Sequence, residues 1–309
     1  MDDSWTRGPV VIVGAGGQVG GALQRRLDDL PLEVRPIGRG DDLTHAARDA
    51  DTLIHLAGAI APRRPNTFER ANVGTTRATV RALQGSSVRR VVFLSFPGAN
   101  LASSNTFLRT KGEAESMLAG TGVPTTVLRC DHIIGPPSEP GQTATAFLTR
   151  GDHAVAVLGT GRQRWTPVLR EDVVEAVLHA ALDPATPAGV FELAGPDVVT
   201  VDELVDRING RAVRKRHLHG AAAHVIAALL PSLHAAAVEI MADYCVLDGA
   251  PTAAAFGITR HGLDTLWPRV GAPTSPSAQH RPTTRTAEPA PSTASSTTAD
   301  ANSPGSSRP

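Results

Sequence analysis

The sequence predicts an α/β fold: a doubly wound parallel sheet with helices on both faces, followed by a smaller C-terminal α+β lobe. Three observations carry this. Short apolar runs alternate with longer amphipathic stretches through the first two-thirds of the chain, as expected when helices cover both faces of a parallel sheet. The first apolar run, Val10-Val11-Ile12-Val13, leads directly into a glycine cluster. After Gly135-Pro136 the regular alternation gives way to loops and mixed elements.

Strands are expected at residues 10–13, 32–37, 52–56, 91–95 and 125–129, with helices near 19–27, 66–83 and 106–119. Only residues 40–51 separate the second strand from the third, which leaves space for about one helix. A helix-strand-helix segment is missing there, so the second strand should lie at the sheet edge. That position would also tolerate Pro36, which has no N–H to donate. In the C-terminal lobe, a helix is expected over 171–182, a short strand over 190–193 and a helix from Thr200, where Thr200-x-x-Glu203 has capping-box spacing and Asp202 sits in the first turn. Ala-rich helices should flank Pro231. The expected organisation is an N-terminal extension over 1–7, a nucleotide-binding core over 8–135 and a substrate lobe over 136–271 interleaved with that core. The Ser/Thr/Pro/Ala-rich segment 272–309 has almost no large apolar residues and is expected to be disordered.

Composition narrows the function classes. Lys+Arg and Asp+Glu both number 30, so no global field draws the chain to nucleic acid or an anionic membrane. The Ala/Leu/Ile stretch 221–230 stops at Pro231 and is too short to cross a bilayer. Cys130 and Cys245 make no close pair and the start lacks a basic-then-apolar segment, so a reduced, cytoplasmic protein is expected. The expected partner is a small molecule, and an oligomer is possible but not derivable. Lys111 and Lys215 are the only lysines against 28 arginines, and Tyr244 is the only tyrosine.

The loop Gly14-Ala15-Gly16-Gly17-Gln18-Val19-Gly20 sits between a strand and an amphipathic helix. Glycines 14, 17 and 20 suit a tight turn, close backbone approach to a pyrophosphate and close helix–strand packing, with the helix N-terminus facing the phosphates. This is a Rossmann nucleotide site, and Gly14, Gly16, Gly17, Gln18, Val19 and Gly20 are its expected cofactor contacts. After the second strand, Arg39 stands where an NAD-preferring site would carry an acid, so NADP(H) is favoured over NAD(H). Asp41 or Asp42 could still reach the ribose if the shortened connection bends back.

Across nearly all of residues 8 to 270 the chain resembles the extended and atypical short-chain dehydrogenase/reductases, the NAD(P)-dependent epimerase/dehydratase-like proteins. The residues that carry the resemblance, besides the glycine loop, are Leu53-Ile54-His55-Leu56-Ala57-Gly58, Asn72-Val73-Gly74-Thr75, Leu128-Arg129 through Gly135-Pro136, Pro167-Val168 to Asp172-Val173, and Phe191-Glu192-Leu193-Ala194-Gly195-Pro196. The resemblance implies that Leu56, Ala57, Gly58 and Asn72 border the cofactor and that His55 packs behind it.

The catalytic pattern departs from the family. The resemblance implies a tyrosine as acid/base with a lysine four residues on and a serine or threonine to orient the substrate. Here the segment is Phe107-Leu108-Arg109-Thr110-Lys111, and phenylalanine has no proton to give. Pro97 falls where the orienting hydroxyl belongs, with Ser95 one pleat deeper. Lys111 is expected to keep its role at the nicotinamide ribose, because a chain so biased to arginine places lysine where a compact ammonium is needed. The segment Phe107-Leu108-Arg109-Thr110-Lys111-Gly112-Glu113-Ala114-Glu115 is most similar to the complex I accessory subunit branch, beside isoflavone-reductase-like, quinone-reductase-like and nitrogen-metabolite-regulator branches.

Asp131 and His132 follow the sixth family strand, beside the expected nicotinamide position, and could form an acid/base pair if both side chains point the same way. His217 and His219, amid the basic run 211–216, lack thiolate or carboxylate companions at ligand spacing, so no metal is expected. The basic run reads as a solvated edge or as a contact with an anionic substrate. The catalytic candidates are therefore Lys111, Asp131, His132 and Ser95. The leading expectation is an NADP(H)-dependent reductase of a quinone, enone or activated carbonyl. Two others are a non-catalytic nucleotide-binding regulatory or assembly protein and a sugar-nucleotide epimerase or dehydratase.

Overall fold

A computed structural model describes residues 8–62, 66–139, 143–218 and 234–270. The expected extension 1–7, the tail 272–309, the Ala-rich stretch before Pro231 and His219 lie outside the described residues. The described residues belong to one compact unit, and no helix among them is long and apolar enough to cross a membrane.

The core begins with β1 (Val10–Val13), four consecutive buried residues, and α1 (Gln18–Leu27). It continues through β2 (Val34–Ile37), α2 (Leu43–Ala47) and β3 (Thr52–His55). A single π-helical stretch, Glu69–Gly74, runs into α3 (Thr75–Leu83). Then follow β4 (Arg90–Ser95), α4 (Thr106–Ala119) and β5 (Thr125–Cys130).

In the lobe come β6 (Ile133–Ile134), β7 (Val155–Leu158), β8 (Arg164–Trp165) and β9 (Val168–Leu169), then α5 (Arg170–Leu182), β10 (Gly189–Leu193), β11 (Val199–Thr200), α6 (Val201–Ile208) and β12 (Lys215–Leu218). The last described α-helices span Ala235–Ala242 and Ala250–Phe256. Thr200 caps α6 as its sequence predicts, its Oγ1 accepting from Glu203 N at 3.1 Å.

The main sheet has six strands in the order β10-β5-β4-β3-β1-β2, and every pairing in it is parallel. β2 is an edge strand, as the short 40–51 connection predicts. What replaces the missing segment is α2, five residues long, with Asp42 accepting from His45 N at 3.0 Å. Arg35 fastens α2 to the sheet by donating to Ala46 O at 2.9 Å and to Asp49 at 2.6 Å. The opposite edge is β10, so the lobe's expected strand returns to the core sheet beside β5.

Successive strand residues point to opposite faces. Val10, Ile12, Ile54, Val92 and Leu128 accordingly pack under α1 and α5, while Val11, Val13, Leu53, Val91, Phe93 and Val127 pack under α2, α3 and α4. The lobe has its own apolar cluster around the fully buried Trp165, whose Nε1 donates to Asp243 O at 3.0 Å.

Helix α4 lies very close to the loop after β4. A Cβ on Gly112 would stand 2.6 Å from the backbone carbon of Asn100, whereas one on Gly21 in α1 would meet nothing nearer than 4.0 Å. Gly112→Ala should therefore lower unfolding free energy by about 1–3 kcal/mol through overpacking. Gly21→Ala, with helical propensity alone in play, should raise it by about 0.5–1 kcal/mol. Urea denaturation of the two variants side by side checks both signs.

Candidate functional site

The site is built where β1, β3, β4 and β5 end. Gly14 has φ +90, a conformation that favours glycine, and a Cβ there would stand 2.6 Å from Ala57 N at the end of β3. The chain then turns, with Gly17 N donating to Gly14 O at 3.0 Å. Gln24 Nε2 holds the turn from outside by donating to Ala15 O at 2.8 Å. A Cβ on Gly20 would overlap the Gly14 carbonyl, so α1 sits directly against the turn. Gly17 is the N-cap of α1 and no side chain caps that helix. Its first N–H groups and the partial positive charge of the helix end are thus available to an anion. A Cβ on Gly16 meets nothing within 4 Å, so the outer lip of the turn is open. This backbone cradle fits a dinucleotide's pyrophosphate.

A cleft of about 230 Å3 extends from the turn across the strand ends. Of the residues predicted from sequence, Gly14, Gly17, Gln18, Val19, Gly20, Leu56, Gly58, Ser95, Lys111, Asp131 and His132 line it. Sequence reasoning missed Ala59, Ile60, Leu94, Phe96, Cys130, Ile133, Thr143 and Met241 as lining residues, and did not expect Phe107 to remain in the wall. Gly16, Ala57, Arg39 and Asn72 are not in the lining.

Asn72 is a brace. From the π-helical stretch it accepts from Ala59 N at 3.1 Å and donates to Thr110 Oγ1 at 2.9 Å, tying the loop after β3 to α4. π-Helical turns are frequent at functional sites, and here the turn delivers a fully buried amide to that junction. Arg39 is exposed on the turn after β2. Its two acidic neighbours are committed locally: Asp41 accepts from Gly38 N at 2.7 Å and Asp42 caps α2.

Lys111 lies one turn along α4 from Phe107. Its ammonium is buried, donates to Leu94 O at 2.5 Å and stands 4.3 Å from the centre of the Phe93 ring. Burial pushes its pKa down to about 8, with Glu115 and Cys130 working in the opposite direction. His55 lies beneath, its Nδ1 2.8 Å from Thr79 Oγ1. Burial and then the Lys111 charge hold it down at about 3, so it is a neutral packing residue.

Ser95 is engaged elsewhere. Its Oγ donates to Glu115 Oε1 at 2.5 Å, and Glu115 is in turn gripped by Arg129 at 2.6 and 3.1 Å. The expected substrate-orienting role is thus taken from it by an ion pair on the far side of β4. Phe107 packs with Phe68 and Phe96, ring centres 6.1 and 5.4 Å away.

Asp131 and His132 do converge. Asp131 Oδ1 accepts from His132 N at 2.6 Å and pairs with His132 Nδ1 at 2.7 Å, while Oδ2 accepts from Thr166 N and Thr166 Oγ1, both at 2.7 Å. Burial drives this carboxyl upward, but the hydrogen bond and charge of His132 and the bonds from Thr166 outweigh it and hold the group below the usual carboxylate range. The His132 ring stacks on Trp165 at 3.7 Å, with planes 9° apart, and meets the Phe96 ring edge-on. Its Nε2 is buried and has no hydrogen-bond partner among the described residues.

Cys245 completes a triad with Asp131 and His132 whose polar atoms lie within 4.8 Å of one another. Four donors already fill the Asp131 oxygens, and burial followed by the Asp131 charge pushes the Cys245 thiol far up. The cluster is a hydrogen-bond hub, and its donor set does not fit a metal. On β12, His217 pairs with Asp202 at 2.8 Å and Lys215 with Asp206 at 2.6 Å, so part of the basic run is neutralised by α6.

A glycine-cradled strand-to-helix turn at the end of a parallel sheet, with a second lobe closing the cleft, defines a dinucleotide-binding α/β protein. The profile of the NAD dependent epimerase/dehydratase family matches residues 10–194, and the chain belongs to that family. It is 28% identical over 180 residues to NADH dehydrogenase [ubiquinone] 1 alpha subcomplex subunit 9, mitochondrial, of Arabidopsis thaliana, covering 57% of this chain and 44% of that one. It is 25% identical over 183 residues to the NADH-ubiquinone oxidoreductase 40 kDa subunit, mitochondrial, of Neurospora crassa, covering 57% and 46%. The chain thus aligns with about half the length of these curated relatives. Among solved structures, MoeE5 in complex with UDP-glucose and NAD superposes with a TM-score of 0.64 at 21% identity, covering 84% of this chain and 95% of that one. UDP-glucuronic acid 4-epimerase from Bacillus cereus, with UDP-glucuronic acid and NAD, gives 0.64 at 14% identity over 82% and 94%. These likenesses establish the fold.

The buried Lys111 ammonium costs stability. Below about pH 8 it is charged in folded and unfolded chains alike and the full cost of burial is present; between about 8 and the ordinary 10.5 the unfolded chain holds the extra proton, so stability rises with pH. Lys111→Met should raise unfolding free energy at pH 7 by roughly 2 kcal/mol and abolish the rise above pH 8. Thermal denaturation of the nucleotide-free protein across pH 7–10 checks it.

Proposed function

We propose that this protein is an NADP(H)-preferring reductase that acts on a small conjugated acceptor such as a quinone, enone or activated carbonyl. The observation that carries the reading is the Lys111 ammonium, kept in a largely apolar cleft with no carboxylate among the described residues hydrogen-bonded to it, at the position from which the family's lysine serves the nicotinamide ribose. The two solved structures named above are complexes with NAD, which supports a nicotinamide nucleotide as the cofactor class. Such a cofactor supplies a hydride to the acceptor when bound. The α1 N-terminus and the glycine turn would hold its pyrophosphate, and exposed Arg39, its acidic neighbours tied up locally, suits a ribose 2′-phosphate.

Within the cleft, Lys111 stabilises negative charge that develops nearby, an effect strengthened where water is excluded. Phe96, Phe107, Ile60 and Met241 give the acceptor apolar walls. Conjugated acceptors are favoured because the electrons they receive are delocalised, so they need less help from an acid. Phe107 argues against a sugar epimerase or dehydratase, whose reaction starts by taking a proton from a hydroxyl.

A second reading, a nucleotide-binding assembly or regulatory protein, is favoured by the names of the two mitochondrial relatives, both subunits of larger complexes. Nucleotide binding without turnover would support it.

NADPH absorbance followed against quinones, enones and activated carbonyls should show turnover above background, and its absence with folded protein would remove the reductase reading. Lys111→Ala should lower kcat/KM by about 100-fold or more. Arg39→Asp should shift the NADPH-over-NADH preference in kcat/KM by about tenfold toward NADH.

A further inference from the structure

We infer that His132, oriented by Asp131, is the proton donor that stands in for the missing tyrosine, delivering its proton from Nε2 into the cleft. This inference rests on the reductase reading and names the group that completes it.

The geometry is that of a held imidazole with one free end. Asp131 takes Nδ1 at 2.7 Å and also the His132 backbone N–H, which fixes the ring from its own residue outward. Trp165 covers one face of the ring at 3.7 Å and Phe96 presses against it at 5.5 Å, so the ring cannot flip to exchange its nitrogens without opening the wall. Asp131 is itself locked by Thr166 from the β8–β9 connection, and Leu247 N donates to the same Thr166 Oγ1 at 3.0 Å. An orphaned buried donor or acceptor costs about 1–3 kcal/mol, a cost that a cleft-lining ring nitrogen recovers when a ligand atom reaches it. Here Nδ1 has a carboxylate and Nε2 has nothing, in a residue that is 4% exposed and lines the cleft.

His55 is the instructive contrast. Its Nε2 is also without a partner, but its ring sits beneath the Lys111 ammonium, which helps keep it neutral. It is not among the cleft-lining residues. His132 instead has the Asp131 carboxylate at its back, hydrogen-bonded to its Nδ1 at 2.7 Å. The Cys245 thiol beside that carboxylate stays protonated and adds no charge. Besides Asp131 and His132, the described cleft wall holds two ionisable groups: Lys111 on α4 and the Cys130 thiol, which burial keeps protonated.

The balance of the reaction is simple. When bound, a reduced nicotinamide dinucleotide would supply two electrons and one hydrogen, as hydride, to an acceptor carbon, and the displaced π electrons would settle on the acceptor oxygen. The N–H bond at His132 Nε2 breaks, its proton bonds to that oxygen, and the bonding pair stays on nitrogen. His132 is left neutral with its remaining proton on Nδ1 toward Asp131, and a solvent proton restores Nε2–H. One proton is consumed per nucleotide oxidised. The acceptor class that fits is a flat carbonyl compound lying against the apolar wall that Phe96 and Phe107 form together, with its oxygen directed at His132.

The test uses the full chain, NADPH and whichever acceptor gives turnover with the unaltered protein. His132→Gln should lower kcat at least 100-fold while the NADPH dissociation constant, read by nucleotide fluorescence, changes less than threefold. Added imidazole should recover part of the activity in His132→Gly. Independently of activity, the proton spectrum should show a low-field Nδ1–H resonance that disappears in both Asp131→Asn and His132→Gln. A His132→Gln kcat within threefold of the unaltered protein, no response of His132→Gly to imidazole, or no such resonance would overturn the assignment and leave the reductase reading in place. Absence of turnover in the unaltered protein would overturn both.

Discussion

The buried ammonium of Lys111 is the constraint around which the rest of the site is arranged. It occupies the gap between the end of β4, the ring of Phe93 and the loop after β3, where a Cβ on Gly58 would stand 3.6 Å from Nζ. Holding an ammonium there requires α4 to lie close to the sheet, which glycine at 112 permits, and requires the Gly58–Ala59 loop to be fixed, which Asn72 achieves by bonding both the loop and Thr110. Among the described residues no carboxylate bonds the ammonium: the Leu94 carbonyl offers a dipole and Glu115 is occupied by Arg129 and Ser95. A cation placed this way is a reservoir of favourable interaction for an anion or a developing oxyanion, and a poor contribution to the stability of the free protein.

The lobe contributes a matching arrangement from the other side. Thr166 and Trp165, next to each other in the chain, fix respectively the carboxylate and the imidazole of residues some 35 positions earlier. Asn105 couples the two sides at the α4 end, accepting from Phe107 N and Leu108 N while donating to Ala236 O and Glu239. A shift of the helix Ala235–Ala242 would therefore be felt at the start of the helix that carries Phe107 and Lys111.

Much of this was legible in the sequence, for reasons that can be traced to residues. Local rules reach the glycine turn, the capped start of α6 and the edge position of β2, because each depends on neighbours in the chain: a strand running into glycines, Thr200 three residues before Glu203, a connection too short for a crossover. Lys111 was legible from its register with Phe107. The commitment of Ser95 to Glu115 was not, since it depends on which face of β4 meets α4. Nor was the hub at Asp131, because Thr166 and Cys245 reach it through tertiary contacts that leave no trace in spacing. Adjacent residues in an extended segment ordinarily diverge, and only the bend after β5 turns Asp131 and His132 toward each other.

Pro36 shows how the abbreviated flank is kept tidy. Val10 N donates to Glu33 O and Gly14 N to Ile37 O, so the odd-numbered residues of β2 turn their amides inward to β1 and the even-numbered ones turn theirs out. The absent N–H of Pro36 consequently falls on the bare rim, where an unsatisfied ladder would otherwise recruit a strand from another molecule. The imino ring at that margin leaves one donor fewer for an outside strand to pair with.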